Sequence, residues 1–350
     1  MLYIDDTSTK VEYALEQHKK YVLCRVRKKI TGNDCDDDNC PVCKHTRQIQ
    51  NLPSKLLVFF TPKIIEDIII GKPDVISKIN QDLFALYHIK NYTNFSKLYF
   101  SIQKKERESK YPNIHHTINT VFDFLERIFS YSWLSDLKTN EFYSLYHLAN
   151  NLNRNTCTYC NRIYTNTMVA KDNKKVMRPQ FDHWFPQSKY PLLALSFYNL
   201  IPSCSICNST VKNDTDFNLK DNIHPYINNI INDFNFDYEY KYVLNSYDTK
   251  VDLNISDTDP NAKKIINTLD AMHITDMYDA HQSELKDLIL TKKAYSKEYL
   301  KSIKSLFSSI NLTDDEIYRL IFGVEYDDKN FHKRPFSKFK SDILKKLEII

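Results

Sequence analysis

Two short cysteine motifs are the first residues in this sequence that could do chemistry. Cys157-Thr-Tyr-Cys160 and Cys204-Ser-Ile-Cys207 are CxxC turns with 43 residues between them. Each turn can place two thiolates on one side of a tetrahedron, and four thiolates are a ligand set that structural zinc prefers. The pair predicts a closed Zn²⁺ site with a structural role. Free buried thiols or redox pairs are the alternative, but one CxxC is weak evidence and two are strong.

A second set of polar residues lies between and just after these turns. Asp182 and His183 are adjacent, Asn199 follows, and Asn208 comes nine positions later, directly after the second CxxC turn. Taken singly, an Asp-His pair is typical of a surface turn, and an asparagine is typical of a cap or a turn. The order of the four residues and their enclosure by two CxxC turns would rarely arise together. This joint occurrence predicts a functional centre.

The arrangement closely resembles the HNH, or ββα-metal, nucleases. The resemblance implies that a β-hairpin supplies Asp182 and His183, that Asn199 lies near the start of the second strand, and that the following helix supplies Asn208. The sequence departs from the commonest form of the motif because Asn208 stands where histidine is usual. The family tolerates this replacement, but it puts the use of a transition metal in doubt.

The resemblance also implies a role for each of the four residues in phosphodiester hydrolysis. The reaction needs an activated water and stabilisation of charge at the phosphate and the departing oxygen. Asp182 and Asn208 would offer two oxygen ligands, a hard set that favours Mg²⁺ or Mn²⁺. His183 would be the general base, since an imidazole titrates near neutrality. The amide of Asn199 would hold the backbone or ring of His183 in place.

Three further residues are candidates for the same site. His224 could be an additional metal ligand or a phosphate contact, although a packed turn histidine is the more ordinary interpretation. Lys212 and Arg178 are near enough in sequence to contact phosphates. The alternative for both is a solvated basic side chain.

Another group of cysteines lies in the polar stretch from residue 31 to 44. Cys35, Cys40 and Cys43 could bind a second structural zinc, with Cys24 or His45 as the fourth ligand. Their CxxxxC and CxxC spacing is looser than a pair of knuckles, and a cysteine-bearing surface loop is the alternative. The sequence does not choose between the two.

A narrower resemblance concerns the run from residue 181 to 208, particularly 190–202. It looks like bacterial HNH proteins of anti-phage defence, such as the PtuB-type Septu nucleases. In that group the nuclease works with a separate ATPase, so the resemblance implies an ATPase partner and DNA as the substrate. Two alternatives stay open: an RNA-cleaving toxin acting alone, and a non-catalytic zinc module that docks nucleic acid or protein.

The composition excludes some classes of protein. The chain has 350 residues, of which 42% are apolar and 26% charged, and a net charge of +4 permits a local nucleic-acid patch without arguing for one. No GxGxxG or GxxxxGK[ST] motif is present, which excludes a dinucleotide fold and a Walker-type site. No basic leader with an apolar run and no apolar stretch of about 18 residues is evident. The sequence therefore predicts a cytoplasmic protein without membrane contact.

The order of sequence patterns predicts three regions. Residues 1–150 form a helical N-terminal domain that carries the cysteine cluster at 24–45, with helices over 74–89 and 119–129. Residues 151–226 form the nuclease module. Residues 227–350 form a mostly helical region with a candidate hairpin, 236–244 and 250–255. The predicted fold class is α+β and predominantly helical, with a zinc-stabilised ββα module between helical regions.

Two helix predictions concern the C-terminal region. Residues 261–307 show a long helical pattern that we expect to divide into two helices. Thr313 and Glu316 have the spacing of a capping box, which predicts that a helix starts there and covers 312–322.

Overall fold

The computed structural model of the protein describes residues 1–135, 142–171, 174–243, 246–256, 258–294, 305 and 312–349. Within these residues, helices predominate and the strands form two-stranded antiparallel sheets. The α+β, predominantly helical class predicted from the sequence is confirmed.

The N-terminal region is helical, as its apolar periodicity predicts. Pro112–Ile128, for example, buries Ile118, Val121, Leu125 and Ile128 along one face. The predicted helices at 74–89 and 119–129 are both present, although the first ends at Ala85 and the second begins at Pro112. The helices of this region are α1 (Thr9–His18), α2 (Cys24–Thr31), α3 (Pro41–His45), α4 (Ser54–Phe59), α5 (Pro62–Ile70), α6 (Pro73–Ala85), α7 (Tyr92–Ser101), α8 (Lys104–Lys110), α9 (Pro112–Ile128), α10 (Tyr131–Ser135) and α11 (Leu145–Leu152), with a π-helical turn, Lys19–Leu23, joining α1 to α2.

Three two-stranded antiparallel sheets follow among the described residues. β1 (Met168–Val169) pairs with β2 (Lys175–Met177), and β3 (Gln180–His183) pairs with β4 (Leu200–Ser203). The candidate hairpin of the C-terminal region is confirmed as β5 (Phe234–Val243) and β6 (Ser246–Ile255), which pair along their whole length. Its strands are longer than predicted, and positions 244–245 between them lie outside the described residues.

The C-terminal helices differ in part from the prediction. Three helices, α12 (Ala262–Ala271), α13 (Ile274–Asp279) and α14 (Gln282–Ala294), lie where two were expected, and positions 295–304 and 306–307 of that prediction lie outside the described residues. His273 separates α12 from α13 with a left-handed backbone, φ 48°. The capping box is confirmed, since the Thr313 hydroxyl accepts from the Glu316 N–H at the start of α15 (Asp314–Phe322). A 3₁₀ turn, Asp328–Lys333, and α16 (Ser337–Lys346) complete the described chain.

Asparagine takes the place of glycine at many turns. The sequence has only 3 glycines, and left-handed backbone is costly for most other residues. Asn51, Asn91, Asn153, Asn161 and Asn213 all have a positive φ. Asn161 directly follows the first CxxC turn, so the chain can reverse there without glycine.

The apolar core is continuous across the three predicted regions. One cluster of buried side chains contains residues from the N-terminal helices, from the segment between the CxxC turns and from the C-terminal helices. The first residues of the chain are also hydrogen-bonded to the middle region: Leu2 N–H donates to Thr158 O (2.8 Å) and Ile4 N–H donates to Pro225 O (2.9 Å). The division into domains stays a prediction. Among the described residues, no helix combines the length and apolar character needed to cross a membrane.

The buried residue His18 connects α1 to the segment between β3 and β4. Its surroundings predict that the protein loses stability in acid. His18 Nε2 lies 2.8 Å from Leu195 O and its Nδ1 lies 3.1 Å from the Tyr143 hydroxyl. Burial lowers the pKa of His18 to about 4, while the hydrogen bond to Leu195 acts the other way. The unfolded chain, with an ordinary histidine pKa near 6.5, binds more protons than the folded chain between pH 6.5 and 4.

The contribution of His18 to the free energy of unfolding should therefore be constant above pH 6.5 and fall as the pH drops towards 4. Lowering the pKa of His18 from 6.5 to about 4 corresponds to a loss of about 3 kcal/mol in the free energy of unfolding once the pH is below 4. Urea unfolding at pH 7.5, 6, 5 and 4.5 measures it, with His18→Gln compared at each pH. The variant should be less stable at pH 7.5 but show a flatter dependence on pH. Parallel curves for the two proteins would show that His18 does not titrate in this way.

Candidate active site

The segment between the CxxC turns folds as strand, strand and helix. In the β3–β4 pair, Asp182 lies opposite Ile201 and His183 lies opposite Leu200. Asn199 immediately precedes β4, and a π-helix, Ile206–Lys212, follows and carries Asn208. The resemblance to HNH nucleases implies a strand, a strand and a helix here; that this unit is a ββα-metal module stays a prediction.

The first cysteine cluster has the geometry of a metal site. The Sγ atoms of Cys157, Cys160, Cys204 and Cys207 all lie within 4.8 Å of one another, and all four residues are buried. A tetrahedral zinc with Zn–S bonds of about 2.3 Å needs sulfur pairs about 3.8 Å apart. Backbone N–H groups also point at the sulfurs, as in Cys207 N to Cys204 Sγ (3.4 Å) and Arg162 N to Cys160 Sγ (3.5 Å). The four thiols fit the zinc that their spacing predicts.

The second cysteine cluster also has four members. Cys24, Cys35, Cys40 and Cys43 have their Sγ atoms within 4.8 Å of one another. The fourth residue is thus Cys24, whose sulfur lies 3.4 Å from that of Cys40 and 3.0 Å from that of Cys43, and His45 is outside the group. Helix α2 supplies Cys24, and the sequence could not foresee that its first turn packs against the 35–43 loop. This set could likewise hold a zinc ion.

Asp182 is buried and already has two partners. The Tyr159 hydroxyl donates to its Oδ2 at 2.5 Å, and the Lys212 ammonium lies 3.3 Å from Oδ1 and 3.2 Å from Oδ2. An ionised carboxylate can accept about four hydrogen bonds, so the contacts from Tyr159 and Lys212 leave capacity for one metal bond. The carboxylate is therefore held in place by two neighbours while keeping a lone pair for a ligand.

Lys212 does not lie where a phosphate contact would put it. Its side chain is fully buried, and its Nζ donates to His183 O at 2.8 Å in addition to contacting Asp182. A buried ammonium needs an opposite charge and hydrogen-bond acceptors, and Asp182 with the His183 carbonyl supplies both. Lys212 thus holds Asp182 and the His183 carbonyl in place. It does not face solvent or phosphate, as the two interpretations of the sequence supposed.

Tyr159 is a residue that sequence analysis missed. It stands between the two cysteines of the first CxxC turn, is fully buried, and donates to Asp182. Burial, and next the charge of Asp182, raise the pKa of Tyr159 well above its ordinary value, so the hydroxyl keeps its proton. The cysteine frame is in this way coupled directly to the candidate metal ligand.

Asn208 has a free amide oxygen. Its Nδ2 donates to Gln180 Oε1 at 2.8 Å, which orients the amide, and its Oδ1 has no hydrogen bond to the part of the chain that the structure describes. Gln180 and Asp182 are two positions apart on β3 and share a face of the strand. The contact to Gln180 therefore brings Asn208 to the face that bears Asp182. Gln180 was not singled out in the sequence, since a glutamine before Phe-Asp carries no signal of its own.

His183 is oriented by a backbone carbonyl. Its Nε2 lies 3.0 Å from Ala194 O, which fixes the ring proton on Nε2 and leaves Nδ1 as the basic nitrogen. The Tyr131 ring packs against the imidazole edge to face, with centroids 4.5 Å apart. Burial lowers the pKa of His183 to about 4, while Ala194 and Asp182 act in the opposite direction. The imidazole is thus neutral at pH 7 and has a free lone pair on Nδ1, but it does not titrate near neutrality as expected from the sequence, because burial makes it a weaker base.

Asn199 holds the loop that positions His183, not His183 itself. Its fully buried amide accepts from Phe185 N–H (2.7 Å) and donates to Phe185 O (3.1 Å) and Leu193 O (3.0 Å). Leu193 directly precedes Ala194, whose carbonyl orients the imidazole. Asn199 therefore acts on His183 through the loop, and the direct contact to the backbone or ring of His183 expected from the resemblance is replaced by this longer route.

The other two candidates differ in their exposure. His224 is fully buried against Trp184, with ring centroids 4.6 Å apart, and its Nδ1 accepts from Tyr226 N–H at 3.2 Å. These are the contacts of a packed turn histidine. Arg178 is partly exposed and lies over the Tyr146 ring, 5.7 Å from its centroid.

Comparison with known proteins leaves the family open. No protein-family model, no curated protein and no solved structure matches this chain. The site must therefore be judged by its own chemistry, and the relevant features are an anchored carboxylate, a free amide oxygen and a neutral imidazole on one strand–strand–helix unit.

Proposed function

We propose that the protein is a metal-dependent endonuclease of the HNH type. The observation that carries the proposal is the hydrogen bond from Asn208 to Gln180, which ties Asn208 to the strand that bears Asp182. A carboxylate and an amide oxygen with no nitrogen or sulfur ligand suit Mg²⁺ or Mn²⁺. The adjacent His183 supplies the base that hydrolysis requires.

The chain's own residues would divide the work of hydrolysis. A divalent cation on Asp182 and Asn208 would stabilise negative charge on the phosphate and on the departing oxygen. His183 takes a proton from the attacking water at Nδ1, and its Nε2–H stays on Ala194 O. Lys212 and Tyr159 hold the Asp182 carboxylate, so the ligand needs little rearrangement when the cation arrives.

The surface beside the site suits a phosphate backbone. The side chains of Arg178 and Lys175 both approach the Tyr146 ring, each 5.7 Å from its centroid, and both are partly exposed. The charge of Arg178 also acts on the hydroxyl of Tyr131, the ring that packs on His183. Arginine and lysine at this edge would contact phosphates without selecting a sequence. Duplex DNA is the substrate we propose.

The wider role follows from the narrower resemblance of residues 190–202. We place the protein among cytoplasmic effectors of bacterial anti-phage defence that act with an ATPase partner, to which the outer faces of the N- and C-terminal helices would bind. The alternative of an RNA-cleaving toxin keeps the same centre and differs only in substrate. Cleavage of a structured RNA in preference to duplex DNA would favour it.

Binding of Mn²⁺ tests the metal centre without relying on catalysis. Electron paramagnetic resonance of the zinc-loaded protein should detect one Mn²⁺ bound with Asp182 and Asn208 intact. Asp182→Asn and Asn208→Ala should each weaken binding by about tenfold or more, because the first replaces a charged ligand with a neutral one and the second removes a ligand. Asp214→Asn, an exposed carboxylate nearby in sequence, is the matched control and should bind as the wild type does.

Two results would count against the metal centre. One is Mn²⁺ binding that is equally strong in the wild type and in both ligand variants, which would place the ion elsewhere. The other is a wild type that binds no Mn²⁺ while retaining its zinc. Either would favour the non-catalytic zinc module, in which Asp182 is only the buried partner of Lys212.

A further inference from the structure

A polar cavity is lined by residues other than those assigned to the candidate active site. It has a volume of about 500 Å³ and is enclosed by the N-terminal segment, by Arg154 after α11 and by the 3₁₀ turn Asp328–Lys333. Cavities that bind small molecules have volumes of roughly 300–1,000 Å³. This one is therefore large enough for a ligand of moderate size.

The cavity has an excess of positive charge. Lys10, Arg154, Lys329 and Lys333 line it, against two acids, so the charge of the lining is 4 − 2 = +2 with His332 neutral. No ion pair involves any of these four cations within the described residues. The net positive charge of the lining favours an anionic ligand.

Arg154 is the innermost cation and has an unpaired donor. Its Nε is buried and has no hydrogen-bond partner among the described residues. Burial lowers the pKa of Arg154 to about 10, and burial followed by the charge of Arg154 lowers the pKa of His332 to about 3. A buried donor without a partner is costly, and an anion beside the guanidinium, which lines the cavity, would offset the positive charge held there.

The opposite part of the cavity is apolar. Leu2, Val11, Leu152 and Ile231 line it, and the partly exposed ring of Tyr3 stands at its edge. Aromatic and aliphatic walls of this type accept the flat face of a nucleobase. Any of the bases can stack on a tyrosine ring. The cavity thus joins an anion-binding end to a surface for an aromatic ring.

We infer that this cavity binds a nucleoside monophosphate, with the phosphate at Arg154 and the lysines and the base against Tyr3. A phosphate monoester carries about −1.5 to −2 charges at pH 7, which matches the excess charge of the lining. The site uses side chains to bind phosphate, so it needs none of the glycine-rich loops that the sequence lacks. It does not depend on the proposed nuclease activity.

The cavity wall is hydrogen-bonded to the residues just before the first cysteine turn. The carbonyl of His332 accepts from Asn155 N–H (3.2 Å) and from the Thr156 hydroxyl (3.1 Å), and these residues lead directly to Cys157. A ligand at Arg154 would therefore bind next to the segment that enters the zinc frame.

Calorimetric titration of the zinc-loaded full chain tests the inference. AMP and GMP are the probes, and one of them should bind at a single site. Adenosine, guanosine and inorganic phosphate should each bind at least about tenfold more weakly, because each lacks one half of the ligand. A 5′-hydroxyl oligonucleotide of about 12 residues should not compete with the nucleotide.

Variants separate this cavity from general electrostatic attraction. Lys333→Gln, at an exposed position, should weaken nucleotide binding about tenfold, and Arg154→Gln should weaken it more. Lys104→Gln, an exposed lysine on α8, should have no effect. Should Arg154→Gln fail to fold, Lys333→Gln carries the test alone. Absence of binding at millimolar nucleotide, affinity unchanged by Lys333→Gln, or tighter binding of the oligonucleotide would each overturn the inference.

Discussion

His183→Ala should reduce cleavage of supercoiled plasmid by about 10²–10⁴-fold, the range expected when a general base is removed. The Nδ1 atom is the proton acceptor in this account, because Nε2 is committed to Ala194 O. Alanine retains the strand and cannot take a proton. Single-turnover cleavage at saturating Mg²⁺ measures the effect on the chemical step.

Two measurements make this loss interpretable. His116→Ala removes an exposed histidine on α9 and should cleave as the wild type does. Zinc content and the unfolding temperature of His183→Ala should stay close to those of the wild type, since the bonds of Asp182 to Tyr159 and Lys212 do not involve the imidazole. Full activity in the folded variant would remove His183 from the mechanism.

Cys157→Ser should abolish zinc binding at the first cysteine cluster and lower the free energy of unfolding. Cys157 is fully buried among the other three thiols of its cluster, and structural zinc contributes folding free energy directly. Loss of several kcal/mol should lower the unfolding temperature by several degrees, since the unfolding entropy of a chain this long makes the shift per kcal/mol small. Cleavage should fall as well, because the same turn carries Tyr159, the partner of Asp182.

The second cluster provides the matched control for this variant. Cys35→Ser changes a partly exposed thiol in the other four-cysteine group, far from Asp182 in sequence. It should release the second zinc while leaving Mn²⁺ binding and cleavage close to normal. A Cys157→Ser protein with unchanged zinc content and unfolding temperature would contradict the structural role of the first cluster.

The sequence predicted the part of the site that depends on local order along the chain. Two CxxC turns identify their own cysteines, and the structure has a strand pair and a helical segment at Asp182, Asn199 and Asn208, whose roles stay a proposal. The capping box at Thr313 is another local signal that the structure bears out. Such features depend on neighbours a few residues apart, so a single sequence contains the information.

The contacts that adjust the site could not be predicted in the same way. Tyr159 lies 23 residues from Asp182, Lys212 lies 30 residues from it, and Asn208 lies 28 residues from Gln180. These pairs meet only when the zinc frame and the hairpin have folded. The sequence suggested solvent or phosphate for Lys212 because its spacing gives no indication of burial.

The fourth ligand of the second cluster shows the same limit. Cys24 and His45 were equally acceptable by residue type and by distance along the chain. The choice of Cys24 follows from the packing of α2 against the loop, which brings its sulfur within 3.4 Å of Cys40. A tertiary contact, and not the cysteine spacing, completes that set.

The central claim is that this chain hydrolyses phosphodiester bonds with a divalent cation. The most direct measurement is cleavage of supercoiled plasmid by the purified, zinc-loaded protein with Mg²⁺, with Mn²⁺ and with EDTA, in parallel with His183→Ala. Nicking should need the cation, stop with EDTA and be lost in the variant. Nicking that is equal in wild type and variant, or a folded protein that cleaves neither plasmid nor structured RNA with either cation, would contradict it.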